Sequence, residues 1–246
     1  MGKKMEYGIQ MYSLRDITKD DLEGAFKAVA EMGYKTVETA GFFGHSAKEV
    51  LGMIEKNGLR LVGTHSGWEE LADNFDETVR FHKELGNKRY IIPGASFTPR
   101  ANLERFIEFV NFASPKLKAE GIDLGFHNHS GEFILTEEGY HIHHELQNRT
   151  DLFFEIDTYW AYVAGVDPVA ELERLGDRVK MIHLKDGTSD GNGLALGEGT
   201  APVAAVRKKA IEMGLDIVVE SEGCQPTGIE EAKRCIDHLH YLDTLD

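Results

Sequence analysis

The stretch EMGYKTVE, residues 31–38, carries the pattern that determines the fold. An amphipathic run ends at a glycine, and a short run rich in β-branched and aromatic residues follows at once. The same order recurs in KNGLRLVG at 56–63, ELGNKRYI at 84–91, AEGIDLGF at 119–126 and EMGLDIVV at 212–219. Glycine is the usual residue just after the last turn of a helix, so each segment predicts a helix followed by a strand. Repeated connections of this kind are typical of a parallel β-sheet.

Outward from these segments, short apolar runs alternate with amphipathic stretches along the whole chain. The eight runs expected to form strands are residues 6–11, 35–39, 59–64, 89–93, 122–127, 152–157, 179–184 and 216–220. Helical periodicity fills several of the intervals, for example in Leu103, Phe106, Ile107 and Val110. Eight such units in 246 residues leave little room for a second domain. We therefore predict a single α/β domain over residues 1–246, a (β/α)8 TIM barrel.

Composition limits the partners of this barrel. The chain has 42 acidic and 27 basic residues, and a formal net charge of −15 disfavours nucleic acid and anionic lipid. Its two cysteines, Cys224 and Cys235, show no CxxC spacing, which is typical of a reducing compartment. No apolar run approaches the roughly 18 residues of a membrane span. We expect a cytoplasmic protein that binds a small molecule, with no nucleic acid and no membrane partner; a homodimer is left open.

Polar residues close four consecutive predicted strands, where the reacting groups of such barrels lie. They are His127, His129 and Glu132 after the fifth strand, Asp157 after the sixth, His183 after the seventh and Glu220 after the eighth. Alternate residues of a strand share a face, and each candidate continues a face that can point into the barrel. Carboxylates with an imidazole suit Mn²⁺, Mg²⁺ or Co²⁺, with Zn²⁺ also acceptable. We predict one divalent metal ion, Mn²⁺ above all, and no second cluster of ligands.

Several of these residues also have purely structural interpretations. Asp157 could cap a helix that begins at Thr158, and a single buried histidine such as His183 is often only a hydrogen-bonded core residue. Glu38 closes the second strand and fits either a site or a salt bridge. The segment LGEGTAPV at 196–203 fits either a helix start or a backbone site for a hydroxyl or phosphate. Structural roles do not easily explain several acidic groups at successive buried strand ends, because unpaired buried carboxylates are costly.

Six motifs resemble the xylose isomerase-like TIM barrel family, nearest to its sugar phosphate isomerase/epimerase type. In chain order they are GIQMYSLRD, FHNHSGEF, FEIDTYW, HLKDG, LGEGT and VVESEG. The resemblance implies one divalent ion held by Glu132, Asp157, His183 and Glu220, the residues that the strand ends also indicate. It further implies that Glu132 and Glu220 form a catalytic pair. One carboxylate would remove a proton beside a carbonyl that the ion polarises, and the other would return it.

Two departures from the family's ketose epimerases leave alternatives open. Trp160 stands where those enzymes often carry histidine, and Lys185-Asp186 stand in place of an arginine. HLKD is shared with the inosose dehydratase branch, which eliminates water beside a ketone. We therefore expect a sugar or keto-polyol isomerase or epimerase first and a dehydratase second. A non-catalytic sugar-binding protein and an apurinic-site nuclease are further alternatives, and the nuclease needs three zinc ions and additional histidines.

Other polar and aromatic residues near the strand ends are candidates for contacts with the substrate. These are Tyr12, His65, His127, His129, Trp160, Lys185 and Glu222. The histidines and Lys185 could equally serve as acids or bases in an elimination. Aromatic side chains at a barrel mouth are as often packing residues as recognition residues.

Overall fold

The computed structural model describes residues 5–245, in which eight parallel strands close into a barrel. The strands of this part of the chain are β1 (Gly8–Gln10), β2 (Thr36–Ala40), β3 (Arg60–His65), β4 (Arg89–Ile92), β5 (Asp123–His127), β6 (Phe153–Asp157), β7 (Val179–Leu184), β8 (Asp186–Gly187), β9 (Gly193–Leu194) and β10 (Asp216–Val219). The barrel consists of β1–β7 and β10, and β10 closes it against β1. The short strands β8 and β9 pair with each other in an antiparallel ribbon. The predicted (β/α)8 barrel is confirmed.

Helices connect the strands. Over the described residues they are α1 (Arg15–Thr18), α2 (Leu22–Met32), α3 (Ala47–Lys56), α4 (Trp68–Asp73), α5 (Phe75–Glu84), α6 (Arg100–Ala119), α7 (Ile142–Arg149), α8 (Thr158–Val163), α9 (Pro168–Leu175), α10 (Val203–Met213) and α11 (Gly228–Asp243). Short 3-10 turns occupy Met11–Leu14, Ser130–Phe133 and Gly176–Arg178. Between residues 5 and 245, no helix is long and apolar enough to cross a bilayer.

Local sequence explains where several helices begin and end. The Asp21 carboxylate accepts the Gly24 N–H at the start of α2, and Gly33 ends that helix with φ of 112°. Ser46 and Glu49 form a capping box at the start of α3. The φ of 112° at Gly33 lies in the positive range that favours glycine, because glycine has no Cβ. The glycine of EMGYKTVE therefore ends its helix as the sequence predicts.

The barrel interior changes from apolar to polar along its axis. Ile91, Phe153, Met181 and Val218 pack together as a separate buried apolar cluster. Two residues further along the same strand faces come Glu155, His183 and Glu220, and two further still come Asp157, Lys185 and Glu222. Strand alternation places Glu155, Asp157 and His183 on the inner face, and Lys185, Glu220 and Glu222 follow β7 and β10. The polar groups therefore lie at the carboxyl ends of the strands, above an apolar base.

Candidate metal centre

Four side chains bring potential ligand atoms together at the mouth of the barrel. One atom each from His127, Asp157, His183 and Glu220 lies within 4.8 Å of the others. All four residues are buried. Their strands, β5, β6, β7 and β10, are adjacent in the barrel, and Asp157 pairs with His183 in the register of β6 and β7. The predicted convergence of consecutive strand ends is present in the structure for these residues.

Asp157 shows why a capping role and a site role do not exclude each other. Its Oδ1 accepts the N–H groups of Tyr159 and Trp160 at 3.0 and 2.9 Å, at the start of α8. Its Oδ2 is buried and has no hydrogen-bond partner. Burial is the main reason that the pKa of Asp157 is raised to about 6. A buried carboxylate oxygen that accepts no hydrogen bond and lies beside histidine and glutamate donors fits a divalent cation.

Lys185 supplies positive charge among the carboxylates of the mouth. Its Nζ lies 3.2 Å from Asp157 Oδ2, 2.8 Å from Glu220 Oε2 and 2.5 Å from Glu222 Oε1. Burial opposes the charged form, but the three carboxylates outweigh burial and raise the pKa of Lys185 above its usual value. The ammonium also lies 5.1 Å from the centre of the Trp160 ring. Lys185 is therefore a fixed cation of the site, and it partly neutralises the acidic groups.

Glu220 is held in its ionised form. Although burial favours the neutral acid, the Lys185 ammonium above all keeps the pKa of Glu220 well below its usual range. His183 Nδ1 lies 3.1 Å from Glu220 Oε2. This carboxylate is therefore available as a ligand or a base at neutral pH.

Glu132 occupies a different position from the other predicted ligands. It lies in the 3-10 turn after β5, and its carboxylate accepts the His129 N–H at 2.9 Å. It belongs to neither group of potential ligands found among residues 5–245, whereas His127 belongs to both. The assignment of Glu132 as a ligand and catalytic residue stays a prediction.

Six of the seven candidate substrate residues line one cavity of about 490 Å³, and Lys185 is not part of its lining. Its lining consists of Tyr12, Ala40, His65, Pro93, His127, His129, Trp160, Glu220 and Glu222. Tyr12 is partly exposed on this lining, and the Arg15 guanidinium lies 4.6 Å from the centre of its ring. The buried Trp160 Nε1 has no hydrogen-bond partner. The cavity thus places aromatic surface and polar groups beside the candidate metal ligands.

His127 and His129 are neutral at the edge of this cavity. Burial lowers the pKa of both rings, and that of His127 falls well below its usual value. The two rings contact each other edge to face, with 5.1 Å between centroids. A neutral imidazole retains a lone pair, so each ring can bind an ion or accept a proton.

A second group of potential ligands lies deeper in the barrel. It consists of His65, His127, Glu155 and His183. The expectation of no second cluster is therefore wrong. Glu155 lies two residues before Asp157 on the same strand face, a pattern that could have identified it from the sequence.

Glu38 belongs to this buried layer and makes no surface salt bridge. Its carboxylate accepts the Gln10 amide N–H at 2.7 Å and lies 2.6 Å from His183 Nε2.

The LGEGT segment is organised by a carboxylate of the chain itself. Asp186 accepts the N–H groups of Gly197, Gly199 and Ala201 at 2.9, 3.0 and 3.1 Å, and that of Gly187 at 2.8 Å. These N–H groups are therefore engaged within the protein, which contradicts the backbone phosphate site considered from the sequence.

Comparison with known families identifies the family of the barrel. Residues 26–242 match the sequence model of a family described as xylose isomerase-like TIM barrel. The chain belongs to this family. Its match spans every barrel strand except β1.

Similar proteins carry different names. An inosose dehydratase from Geobacillus kaustophilus is 25% identical and covers 87% of this chain and 86% of its own length. A sugar phosphate isomerase/epimerase of known structure from Parabacteroides distasonis is 27% identical, covers 95% of this chain and 97% of its own, and superposes with a TM-score of 0.83. A D-allulose 3-epimerase from Methylomonas sp. is 16% identical over 98% of both chains, with a TM-score of 0.72, and shows the shared fold alone.

Proposed function

We propose that this xylose isomerase-like barrel is a divalent-metal-dependent isomerase or epimerase of a sugar or keto-polyol. The observation that carries the proposal is the convergence of His127, Asp157, His183 and Glu220 beside the cavity at the barrel mouth. These donors fit one ion, and the mixed oxygen and nitrogen set suits Mn²⁺, Co²⁺ or Zn²⁺, with Mg²⁺ less favoured by the two imidazoles. When bound, such an ion polarises a carbonyl and makes the neighbouring C–H more acidic.

The chain's own side chains would then move the proton. Glu220 is ionised and lines the cavity, so it can take a proton from the carbon beside the carbonyl. Glu132, from the turn after β5, is the proposed partner that returns a proton on the other face. Lys185 is a fixed positive charge that favours negative charge developing on the substrate oxygen.

A dehydratase is a second candidate, and two observations favour it. The 25% identical relative is named an inosose dehydratase. In addition, the neutral ring of His129 lines the cavity. His129 could take the proton next to the ketone. A C=C bond would form as the neighbouring C–O bond breaks, and the protonated ring would give its proton to the departing hydroxyl group, which leaves as water.

The two reactions can be separated by one experiment. Mn²⁺-loaded protein is incubated in D₂O with ketoses and inososes, and the reaction is followed by NMR and ultraviolet absorption. An isomerase or epimerase introduces deuterium at the carbon beside the carbonyl, and Glu220→Gln suppresses this exchange. A dehydratase produces an unsaturated or dicarbonyl product that absorbs in the ultraviolet. Exchange that is unchanged in Glu220→Gln contradicts the role given to Glu220.

A further inference from the structure

Glu155 is a buried carboxylate to which three imidazoles turn one nitrogen each. His65 Nε2 lies 2.7 Å from Glu155 Oε2, and His127 Nδ1 lies 3.2 Å from the same oxygen. His183 Nε2 lies 3.2 Å from Glu155 Oε1. The hydrogen bond of His183 Nε2 is made with Glu38 Oε2, at 2.6 Å, and Glu155 Oε1 accepts none. Both carboxylates are completely buried below the cavity.

Two of these rings turn their other nitrogen toward the mouth. His127 Nε2 lies 3.9 Å from Asp157 Oδ2, and His183 Nδ1 lies 3.1 Å from Glu220 Oε2. Each ring therefore stands between a deep carboxylate and a carboxylate of the candidate metal centre. The ring nitrogen that carries the proton determines which side of the ring can offer a lone pair.

The deep contacts have the distances of hydrogen bonds. Two ligands of one tetrahedral ion, each about 2.1 Å from it, lie about 3.4 Å apart. The separations of 2.7 Å between His65 and Glu155 and 2.6 Å between His183 and Glu38 are well below that value. They match charge-assisted hydrogen bonds instead. These distances favour hydrogen bonds between the imidazoles and the carboxylates over a second metal ion in the deep group.

We propose that Glu155 and Glu38 are positioning residues that keep the proton of His127 on Nδ1 and that of His183 on Nε2. The nitrogens that face the mouth, His127 Nε2 and His183 Nδ1, are then free to bind the ion. A metal-binding histidine commonly donates the N–H of its other ring nitrogen to a carboxylate. This hydrogen bond fixes the tautomer and orientation of the ring and raises its affinity for the metal. The inference rests on the metal centre of the proposed function, and it assigns an unexpected role to the lower polar layer of the barrel.

Gln10 completes the layer and connects it to the cavity. Its amide donates to Glu38 Oε2 at 2.7 Å, while its side-chain oxygen accepts the Tyr12 N–H at 3.1 Å. Gln10 and His183 thus both contact Glu38 Oε2, and the position of this oxygen is fixed by the two contacts. A carboxylate fixed in this way is a suitable acceptor for one specific ring N–H.

The test compares Glu155→Gln with a matched control. Glu171 is also a buried glutamate near a histidine, with 3.5 Å between its Oε1 and His143 Nδ1, and it lies on α9 away from the cavity. Calorimetric titration with Zn²⁺ should show affinity about 10- to 100-fold weaker in Glu155→Gln, the usual effect of losing a carboxylate behind a ligand. Glu171→Gln should bind Zn²⁺ as the wild type does.

A spectroscopic readout separates positioning from general loss of structure. Ring ¹⁵N NMR of the Zn²⁺-loaded wild type should show His127 protonated on Nδ1 and His183 protonated on Nε2. In Glu155→Gln the His127 pattern should change. If that variant fails to fold, Glu38→Gln provides the test: it should weaken Zn²⁺ binding and alter the His183 resonances only.

The outcomes distinguish this inference from the function on which it rests. A wild type that binds no Zn²⁺ or Mn²⁺ overturns the metal centre and the inference together. A wild type that binds an ion, with unchanged affinity and ring protonation in both variants, overturns the inference alone. If the wild type binds two ions per chain and Glu155→Gln loses one of them, Glu155 is a ligand of a deep metal site and the positioning role is overturned.

Discussion

Asp157 uses its two carboxylate oxygens for two different purposes. Oδ1 caps α8, and Oδ2 accepts no hydrogen bond and lies 3.2 Å from Lys185 Nζ, beside His127 and Glu220. Asp157→Asn retains an oxygen that can accept the N–H groups of the helix, so we expect little loss of stability from the cap. Asp157→Ala loses this cap and should lower the free energy of unfolding by about 1 kcal/mol more than Asp157→Asn does. Urea denaturation of the metal-free proteins measures the difference; equal stabilities would contradict the capping role.

Glu132 is the residue whose role most needs a direct test. If it belongs to the catalytic pair, Glu132→Gln should reduce turnover about 10²- to 10⁴-fold, as for other positioned acids and bases. The glutamine oxygen can still accept the His129 N–H, so the turn after β5 should persist. Glu137→Gln, at an exposed position in the next segment, is the control and should be fully active. Wild-type turnover in Glu132→Gln would limit this residue to holding the turn.

At the level of single residues, the sequence predicts the site where polar side chains end apolar strands. Asp157, His183 and Glu220 are predicted ligands of this kind, and the structure brings potential ligand atoms of all three together. The cavity lining contains six of the seven predicted substrate residues. Glu155 was missed because it lies inside an apolar run, where only strand parity distinguishes an inward side chain. The position of Glu132 could not be derived either, because a turn does not follow the alternation that fixes side-chain directions in a strand.

At the scale of single elements, the conformation of the segment between β9 and α10 depends on hydrogen bonds to one buried carboxylate, that of Asp186. Asp186 accepts N–H groups from Gly197, Gly199 and Ala201, and a Cβ added at Gly199 would lie 2.3 Å from Asp186 Oδ1. Asp186→Asn places an amide N–H among these donors. We expect it to lower the free energy of unfolding by about 1–3 kcal/mol, as for other buried groups left without a partner.

The control for this change is Asp190→Asn. Asp190 is an exposed aspartate of the same region, and it accepts a hydrogen bond from Thr188. Chemical denaturation should show near wild-type stability for Asp190→Asn. Similar stabilities for the Asp186 and Asp190 variants would show that the N–H contacts of Asp186 add little.

The whole barrel could be predicted because one sequence pattern, a helix that ends at a glycine and is followed by a strand, recurs along the chain. Five glycines of this pattern each follow a helix and precede a strand: Gly33, Gly58, Gly86, Gly121 and Gly214. The predicted strands agree with the observed ones to within two residues at either end. The antiparallel ribbon of β8 and β9 was not predicted, since each strand has only two residues and no recognisable periodicity. The repeated helix–glycine–strand segments therefore specify the barrel. The conformations of its loops depend on individual contacts, such as those of Asp186.

Acid should destabilise the whole molecule partly through His82. Burial lowers the pKa of this histidine to about 4, and its Nδ1 lies 3.1 Å from the Asn87 amide nitrogen. Because the unfolded ring titrates near about 6.5, the unfolded state gains a proton first as the pH falls. The stability that the neutral, buried His82 ring contributes is therefore complete above about pH 6.5. It is lost progressively as the pH falls from about 6.5 to about 4.

The unfolding free energy of wild type and His82→Gln at pH 7.5 and pH 5 checks this dependence. We expect the wild type to lose more stability between the two pH values than His82→Gln does, by about 1–2 kcal/mol. His45→Gln, at a position before α3, serves as the control and should behave as the wild type does. Identical pH dependence in all three proteins would assign the acid sensitivity to other groups.

Titration with Mn²⁺ is the most direct measurement of the central claim, that the strand ends of this barrel form a metal centre. After dialysis against a chelator, calorimetry on the wild type should show one ion bound per chain. Asp157→Asn and His183→Ala should bind it far more weakly, while their far-UV circular dichroism remains that of the wild type, because the ligand atom is lost and the barrel strands are not. Absence of binding to the wild type, a stoichiometry near three, or wild-type affinity in both variants would contradict the account.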